Sequence, residues 1–307
     1  MRGLFVNTRR AQCSIYESGI MVYEILKEKY DLGYCETGVL GTCSVYDIPN
    51  GYDFFVINWH HMTMPLPPET LSELQGVKIA MVLEMVEGNP FVAFPSNFDE
   101  YMVLDPTMRN PDPRTNPFPR PLEEIAVPPY EDTVVPTIGS FGFSTADKRF
   151  DLVVEQTAKE FEIAVVRINI PAATFWDCDG SKTKSVVDQC LAKARPGITV
   201  SITHNYFNKP ELVKWCSTNT INCFLYQRQM PGLAAVTDQA ISSGRPLLVS
   251  DCDTFRHVHQ YLTPFPRTTI RRAITESVSG VQAMKRDWSR ESFAGTFKKL
   301  LAKRGLG

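Results

Sequence analysis

Residues 231–251, PGLAAVTDQAISSGRPLLVSD, contain a short predicted helix that carries one acid, Asp238, and opens from the glycine turn at Gly232-Leu233. Backbone N–H groups at the start of a helix favour an anion, and a carboxylate is an acceptor for the hydroxyl groups of a ligand. The stretch therefore predicts either a ligand site or a locally capped helix with no ligand.

A second glycine-containing turn lies in residues 138–150, IGSFGFSTADKRF, between a predicted strand and a predicted helix. Gly139 and Gly142 allow a tight turn, and Lys148 adds a positive charge beside the helix N-terminus, which favours an anion. The stretch is neither a G-x-G-x-x-G fingerprint nor a P-loop. The alternative interpretation is a solvated lysine and an Asp147 that caps the helix.

Polar residues also follow the other predicted strands. In open parallel sheets, ligands bind at the carboxyl ends of the strands, so this pattern predicts a polar cleft between two domains. The alternative is that these residues are polar because loops are polar in general. The strand-end residues are Asn7, His60, His61, Glu84, Asn169, His204, Gln227 and Arg228.

The histidines and cysteines do not indicate a metal site or a nucleophile. His60 and His61 are neighbours on an extended segment and point to opposite faces, so one is expected to face the cleft and the other to pack inward. His204 could equally be a structural histidine. The eight cysteines form no C-x-x-C pair, which predicts reduced thiols and a cytoplasmic protein. No Gly-x-Ser-x-Gly elbow is present.

Apolar strands alternate with amphipathic helices along the chain, which predicts an α/β fold with mostly parallel sheets. Residues 20–30 are expected to form a helix after a polar loop at residues 8–19. Residues 106–136 are rich in proline and are predicted to form an extended connector between two α/β arrays.

Charge and hydropathy exclude several classes of partner. The 307 residues have a net charge of -2 and show no basic stripe, so no nucleic-acid partner is predicted. No apolar run reaches the roughly 18 residues of a membrane span, so any contact with a membrane is expected to be peripheral. The N-terminal MRGLFVNTRR is predicted to be a first strand rather than a secretory signal. The sequence does not indicate an oligomeric state.

The order of these features resembles the GT-B-fold glycosyltransferases of the large group 1 family. In that family a strand-end glycine turn and a basic residue precede a segment E-G-F-G-L-x-x-L-E-A-M-A-x-G-x-P-V-V-A with two glutamates. Here Gly232-Leu233 match the Gly-Leu, Asp238 matches the second acid, and Arg245-Pro246 leads into the following strand. More loosely, LFVNTRRAQCSIYESG resembles the opening strand and acceptor loop, and DWSRESFAGTFKKLL the C-terminal helix.

The resemblance implies two Rossmann-like domains in the GT-B arrangement, facing each other across a cleft. Residues 1–125 would form the acceptor-side domain, with a C-terminal helix at about 286–307 packing back on it. Residues 126–285 would form the domain that binds the nucleotide-sugar donor.

The resemblance also implies roles for individual residues. Lys148, Arg228 and the N–H groups of Gly232 and Leu233 would hold the donor diphosphate without a metal or other cofactor, and Asp238 would bind the ribose. The expected catalytic residues on the acceptor side are His60, His61, Glu17 and Glu84. The full expected donor set is Gly139, Ser140, Phe141, Gly142, Lys148, His204, Gln227, Arg228, Gly232, Leu233 and Asp238.

The function that the resemblance implies is metal-independent, retaining transfer of a sugar from a nucleotide-diphosphate donor such as a UDP-sugar to a carbohydrate or related acceptor. Two departures from the motif leave alternatives open. Residues 227–231 stand where the family has its first glutamate. The second glutamate is replaced by Asp238, whose side chain is shorter. The alternatives are a catalytically inactive protein that binds nucleotides or sugars, which the missing glutamate favours, and a sugar-nucleotide epimerase or hydrolase.

Overall fold

The chain divides into two α/β units. The computed structural model describes residues 1–8, 13–37, 48–60, 68–83, 98–129, 133–172, 177–229 and 232–307. One unit comprises Met1–Pro121 together with Asp287–Gly307, and the other comprises Leu122–Arg286. The chain therefore passes from the first unit to the second within the proline-rich stretch and returns before its last helix.

The first unit contains a six-stranded parallel sheet in the order β2-β1-β3-β4-β5-β6. Its central strands are continuous apolar runs because both faces of the sheet are covered. The elements are β1 (Arg2–Thr8), α1 (Ser14–Leu26), β2 (Asp31–Thr37), β3 (Phe54–Asn58), a 3₁₀ turn (Pro68–Glu73), β4 (Val77–Val82), β5 (Glu100–Val103), β6 (Thr115–Pro117) and the C-terminal α8 (Arg290–Lys303).

Helix α1 begins at Ser14, so the prediction of a polar loop up to residue 19 was wrong. The amide of Asn58 donates to the Ile15 carbonyl at 2.8 Å and thereby holds the first turn of the helix against the sheet. At Gly19 a β-carbon would lie 2.5 Å from Asn58 Nδ2 and would clash with Asn7. Glycine is therefore needed at this position so that α1 can pack closely over the ends of β1 and β3.

Helix α8 packs on the first unit through an apolar face and a buried ion pair. Its Phe293 and Phe297 lie in the core cluster that covers one face of the first sheet. The Glu100 carboxylate on β5 is fully buried and accepts hydrogen bonds from Lys303 at 2.8 Å and Arg304 at 2.7 Å. The last turn of α8 is thus fixed to the sheet by opposite charges.

The proline-rich stretch is not a connector along its whole length, which corrects the prediction for residues 106–136. Thr115–Pro117 forms β6 at the edge of the first sheet, where it pairs in parallel with β5. An edge strand tolerates proline because one side of its backbone makes no ladder hydrogen bonds. Phe118, directly after β6, is fully buried.

The second unit contains a five-stranded parallel sheet in the order β11-β10-β7-β8-β9. The chain runs outward from β7 through β8 to β9 and then returns to the other side of β7, so the direction of winding reverses between β7 and β10. The elements are β7 (Thr137–Phe141), α2 (Phe150–Glu160), β8 (Ala164–Asn169), α3 (Ser181–Lys193), β9 (Ile198–Thr203), α4 (Lys209–Ser217), β10 (Ile221–Phe224), α5 (Val236–Ser242), β11 (Leu247–Val249), α6 (Ile270–Glu276) and α7 (Val278–Asp287).

Both units therefore confirm the predicted α/β class with parallel sheets. In a sheet wound in two directions, the loops at the point of reversal leave the carboxyl edge on opposite faces and open a crevice between them. In the second unit that point lies between the loop after β7 and the loop after β10.

Candidate active site

The two loops at the reversal point of the second sheet contact each other. The Gln227 backbone N–H donates to the Asp147 carbonyl at 2.7 Å, and Arg228 lies 3.9 Å from the Asp147 carboxylate. The Arg149 guanidinium donates to the Gln227 side-chain oxygen. These contacts bring the loop that carries Lys148 together with the predicted pair Gln227 and Arg228.

Gly142 and Lys148 form the turn that follows β7. Gly142 has a φ of 140°, a region that favours glycine, and its N–H donates to the Asn169 carbonyl at 3.0 Å. A β-carbon at this position would lie 3.1 Å from the Lys148 side chain, so the lysine stem lies directly over the glycine. The Lys148 ammonium donates to the Phe143 carbonyl at 2.8 Å and lies 5.4 Å from the centre of the Phe143 ring.

This arrangement changes the charge behaviour of Lys148. The pKa of its ammonium is lowered to about 8, chiefly by burial; the Asp147 charge opposes the shift and the Arg228 charge adds to it. A lysine that loses hydration in a cleft and lies beside a second cation gains strongly from an incoming anion. Lys148 is therefore the most distinctive ionisable group at the reversal point.

Gly139, Ser140 and Phe141 lie within β7 and not in the turn, which corrects their predicted placement. They pair with β8, so the strand continues past the first glycine and ends at Phe141. A β-carbon at position 139 would overlap the side-chain amide of the buried Asn219. Gly139 is therefore a packing residue of the sheet, and the turn after β7 begins at Gly142.

The segment from Gly232 to α5 is held by the turn at residues 253–258. The Thr254 hydroxyl donates to the Gly232 carbonyl, and the Thr254 backbone carbonyl accepts from the Ala234 N–H at 3.1 Å. His257 Nε2 lies 3.0 Å from the Thr237 hydroxyl, which itself donates to the Ala234 carbonyl. His257 is fully buried.

Asp238 lies in α5 and is only 3% exposed, whereas Gly232 and Leu233 are half-buried at the carboxyl edge. A ligand at this edge meets Gly232 and Leu233 before it meets Asp238. The proposed contact between Asp238 and a ribose stays a prediction.

His204 is not brought to the reversal point. It follows β9, which β8 separates from β7 in the sheet, and its Nδ1 lies 2.9 Å from the Ile170 carbonyl. The exposed His204 ring thus lies at the β9 end of the carboxyl edge, away from the reversal point. Its predicted donor role has no support from its position in the sheet.

The first sheet has its own reversal point between β1 and β3, and two asparagines join the strands there. Asn58 donates to the Asn7 side-chain oxygen at 2.7 Å, and Asn7 donates to the Tyr16 carbonyl in α1 at 3.1 Å. Glu17 follows in the first turn of α1, and His60 follows β3; both are half-buried. This edge therefore carries Glu17 and His60, two of the four predicted acceptor residues.

Two predicted acceptor residues, His61 and Glu84, lie outside the described residues. Within the described ranges, Glu36 and Tyr226 carried no prediction from the sequence. Glu36 accepts hydrogen bonds from the Tyr16 and Tyr34 hydroxyls at 3.1 Å and 3.0 Å, and Tyr226 lies shortly after β10. A lone acid on an edge strand and a tyrosine at the end of an apolar run carry no sequence signal of their own.

The part of the chain that the structure describes contains no group of three or more His, Cys, Asp or Glu residues able to hold a metal ion. In the same part, no helix is both long enough and apolar enough to cross a membrane.

No known family model matches this sequence, and no curated protein matches it. Solved structures do match along nearly the whole chain. HepE of Anabaena in complex with UDP is 9% identical over 99% of this chain and 100% of that one, with a TM-score of 0.64. A trehalose-6-phosphate structure from E. coli, bound with UDP-2-fluoro glucose, is 11% identical over 99% and 98%, with a TM-score of 0.60.

AviGT4, a glycosyltransferase involved in avilamycin A biosynthesis, is 13% identical over 99% of this chain and 98% of that one, with a TM-score of 0.59. These neighbours are GT-B glycosyltransferases, and the chain shares their fold. The predicted resemblance is thus confirmed at the level of the fold.

Proposed function

We propose that this protein is a glycosyltransferase that moves a sugar from a nucleotide-diphosphate donor to a carbohydrate or related acceptor. The observation that carries the proposal is the reversal point of the second sheet, where Lys148 and Arg228 are brought together beside the turn at Gly142. The fold likeness adds support, because the similar HepE structure contains UDP and the similar E. coli structure contains UDP-2-fluoro glucose.

Cleavage of a sugar–nucleotide bond builds negative charge on the departing diphosphate and positive character on the sugar. Groups that already face the diphosphate stabilise this charge without reorganising. The Lys148 ammonium and the Arg228 guanidinium supply two cations, and the N–H groups of Gly232 and Leu233 add backbone donors. In this proposal the side-chain cations neutralise the leaving group, and no metal ion takes part.

The acceptor is proposed to bind at the carboxyl edge of the first sheet. The acceptor hydroxyl has to be oriented and deprotonated, and a histidine or a carboxylate can act as the general base. Glu17 directly follows Tyr16, and His60 lies two residues after Asn58, so both are close in sequence to the asparagine network that joins β1, β3 and α1. His61 and Glu84 remain candidates for the same task.

The affinity for a nucleotide diphosphate is expected to fall as the pH rises through the pKa of Lys148, about 8 in the free protein. The protonated lysine binds the anion, so the affinity is fully present below that pKa and weakens by about tenfold per pH unit above it. The phosphate itself ionises near pH 6 and contributes no change above about pH 7. Calorimetric titration of UDP between about pH 7 and 9.5 measures this profile.

Lys148→Arg is the matched control for the pH profile, because arginine stays charged over this range. Its affinity for UDP is expected to be independent of pH. A profile with the same slope in Lys148→Arg and in the natural protein would show that another group titrates.

The proposed function is tested by incubating the protein with nucleotide sugars, with and without carbohydrate acceptors, and analysing all products. Formation of a new glycoside only when acceptor is present is the expected result. Free sugar without acceptor would identify a hydrolase, and an altered donor would identify an epimerase. Absence of any thermal shift with every nucleotide diphosphate would contradict the proposal.

A further inference from the structure

The hydroxyl of Tyr226 is buried without a hydrogen-bond partner among the described residues. Tyr226 follows β10 and directly precedes Gln227 and Arg228, and its side chain is only 3% exposed. Buried tyrosine hydroxyls normally find a partner, and one without a partner costs about 1–3 kcal/mol. An unpaired hydroxyl at the reversal point of the sheet therefore calls for a functional explanation.

The surroundings of Tyr226 combine an aromatic wall with charged groups. Its ring centre lies 5.0 Å from that of Phe255 and 6.2 Å from that of Phe224. Burial raises the pKa of the Tyr226 hydroxyl, and the charges of Asp147 and Arg228 act on it in opposite directions. Tyr226 directly precedes Gln227, whose backbone N–H donates to the Asp147 carbonyl at 2.7 Å.

The chemistry of this position favours a neutral partner over a phosphate. In the proposed function the diphosphate is met by the cations Lys148 and Arg228, and a neutral phenol adds no positive charge to that contact. A phenol can both donate and accept, as a sugar hydroxyl can. The aromatic rings of Phe224 and Phe255 add an apolar surface next to the polar group.

We infer that the Tyr226 hydroxyl is a specificity contact for the sugar of the donor, with which it exchanges a hydrogen bond. The inference rests on the proposed function. Gln227 and Gln229 are exposed, so the segment that directly follows Tyr226 borders solvent. A site that pairs a buried hydroxyl with a sugar hydroxyl discriminates against donors that lack that group.

The test is Tyr226→Phe, which removes only the hydroxyl, with UDP and UDP-glucose as the two probes in calorimetry. The Kd for UDP-glucose is expected to rise about tenfold while the Kd for UDP stays unchanged. The Tm of the free variant is expected to stay the same or to rise by about 2 °C, because an unsatisfied buried group has been removed.

Tyr101→Phe is the matched control. The Tyr101 hydroxyl on β5 of the first unit is also buried and also has no partner within the described ranges. Its removal is expected to leave both affinities unchanged.

Equal binding of UDP-glucose by Tyr226→Phe and by the natural protein would overturn the inference and leave the proposed function standing. Equal weakening of UDP and UDP-glucose would overturn the assignment to the sugar. A natural protein that binds neither probe would contradict the donor role itself, and the inference would fall with it.

Discussion

Lys148→Met is expected to lower kcat/KM for the nucleotide sugar by about 10²–10³-fold, the usual loss when one preorganised charge-stabilising group is removed. The ammonium is held by the Phe143 carbonyl and lies over Gly142 at the reversal point of the second sheet. The variant keeps an unbranched apolar stem over the glycine and loses only the charge that meets the diphosphate. Steady-state kinetics with saturating acceptor measures the loss.

The stability of Lys148→Met separates a functional loss from misfolding. Burial has lowered the pKa of Lys148 to about 8, which means that the folded protein disfavours its charge. Removal of the ammonium should therefore leave the Tm unchanged or raise it. Lys159→Met is the control, since Lys159 lies on α2 of the same unit with its side chain 58% exposed. If Lys148→Met kept its activity within about twofold, the diphosphate role of Lys148 would be wrong.

Gly139→Ala is expected to lower the free energy of unfolding by about 3 kcal/mol, because overpacking in a filled core costs about 1–3 kcal/mol or more. The new methyl group would overlap the amide of Asn219. That amide donates to Asn222 at 2.8 Å, and the Asn219 side-chain oxygen accepts from Arg167 at 2.9 Å. The substitution therefore disturbs a buried polar network as well as the packing. Urea denaturation followed by circular dichroism measures the change.

Gly295→Ala is the control for this substitution. Gly295 lies within α8 and no atom lies within 4 Å of the position of a new β-carbon, so alanine should stabilise the helix by up to about 1 kcal/mol. If Gly139→Ala instead had the same free energy of unfolding as the natural protein and lost affinity for UDP, Gly139 would be a phosphate-turn residue. Its assignment to packing would then be wrong.

The parallel sheets and their strand ends could be predicted from the sequence because they depend on local patterns. Continuous apolar runs bounded by polar residues and glycines mark strands buried on both faces. The run FFVIN is β3, and its terminal Asn58 lies at the reversal point of the first sheet. The loops carrying Lys148 and Arg228 were predicted for the same reason, since each directly follows such a run.

The point at which a strand stops could not be predicted, because it depends on the neighbouring strand. Gly139 and Gly142 are alike in sequence, but the pairing of β7 with β8 extends to Phe141 and places only Gly142 in the turn. The same limit applies to β6, because this three-residue edge strand forms only by pairing with β5.

The burial of single polar residues could not be predicted from the sequence either. His257 and Tyr226 occupy the core of the second unit because turns distant in the chain cover them, and nothing in their neighbours predicts this. Similarly, α1 begins early because Asn7 and Asn58 bind the carbonyls of its first turn. These contacts join residues up to 43 positions apart.

The central claim, that the reversal point of the second sheet binds a nucleotide diphosphate, is tested most directly by calorimetric titration of the natural protein with UDP and with uridine at about pH 7, where Lys148 is charged. Two charge-assisted contacts from Lys148 and Arg228 are worth about 3 kcal/mol, so UDP is expected to bind about 100-fold more tightly than uridine. Equal affinity for the two compounds, or no binding of UDP, would contradict the claim.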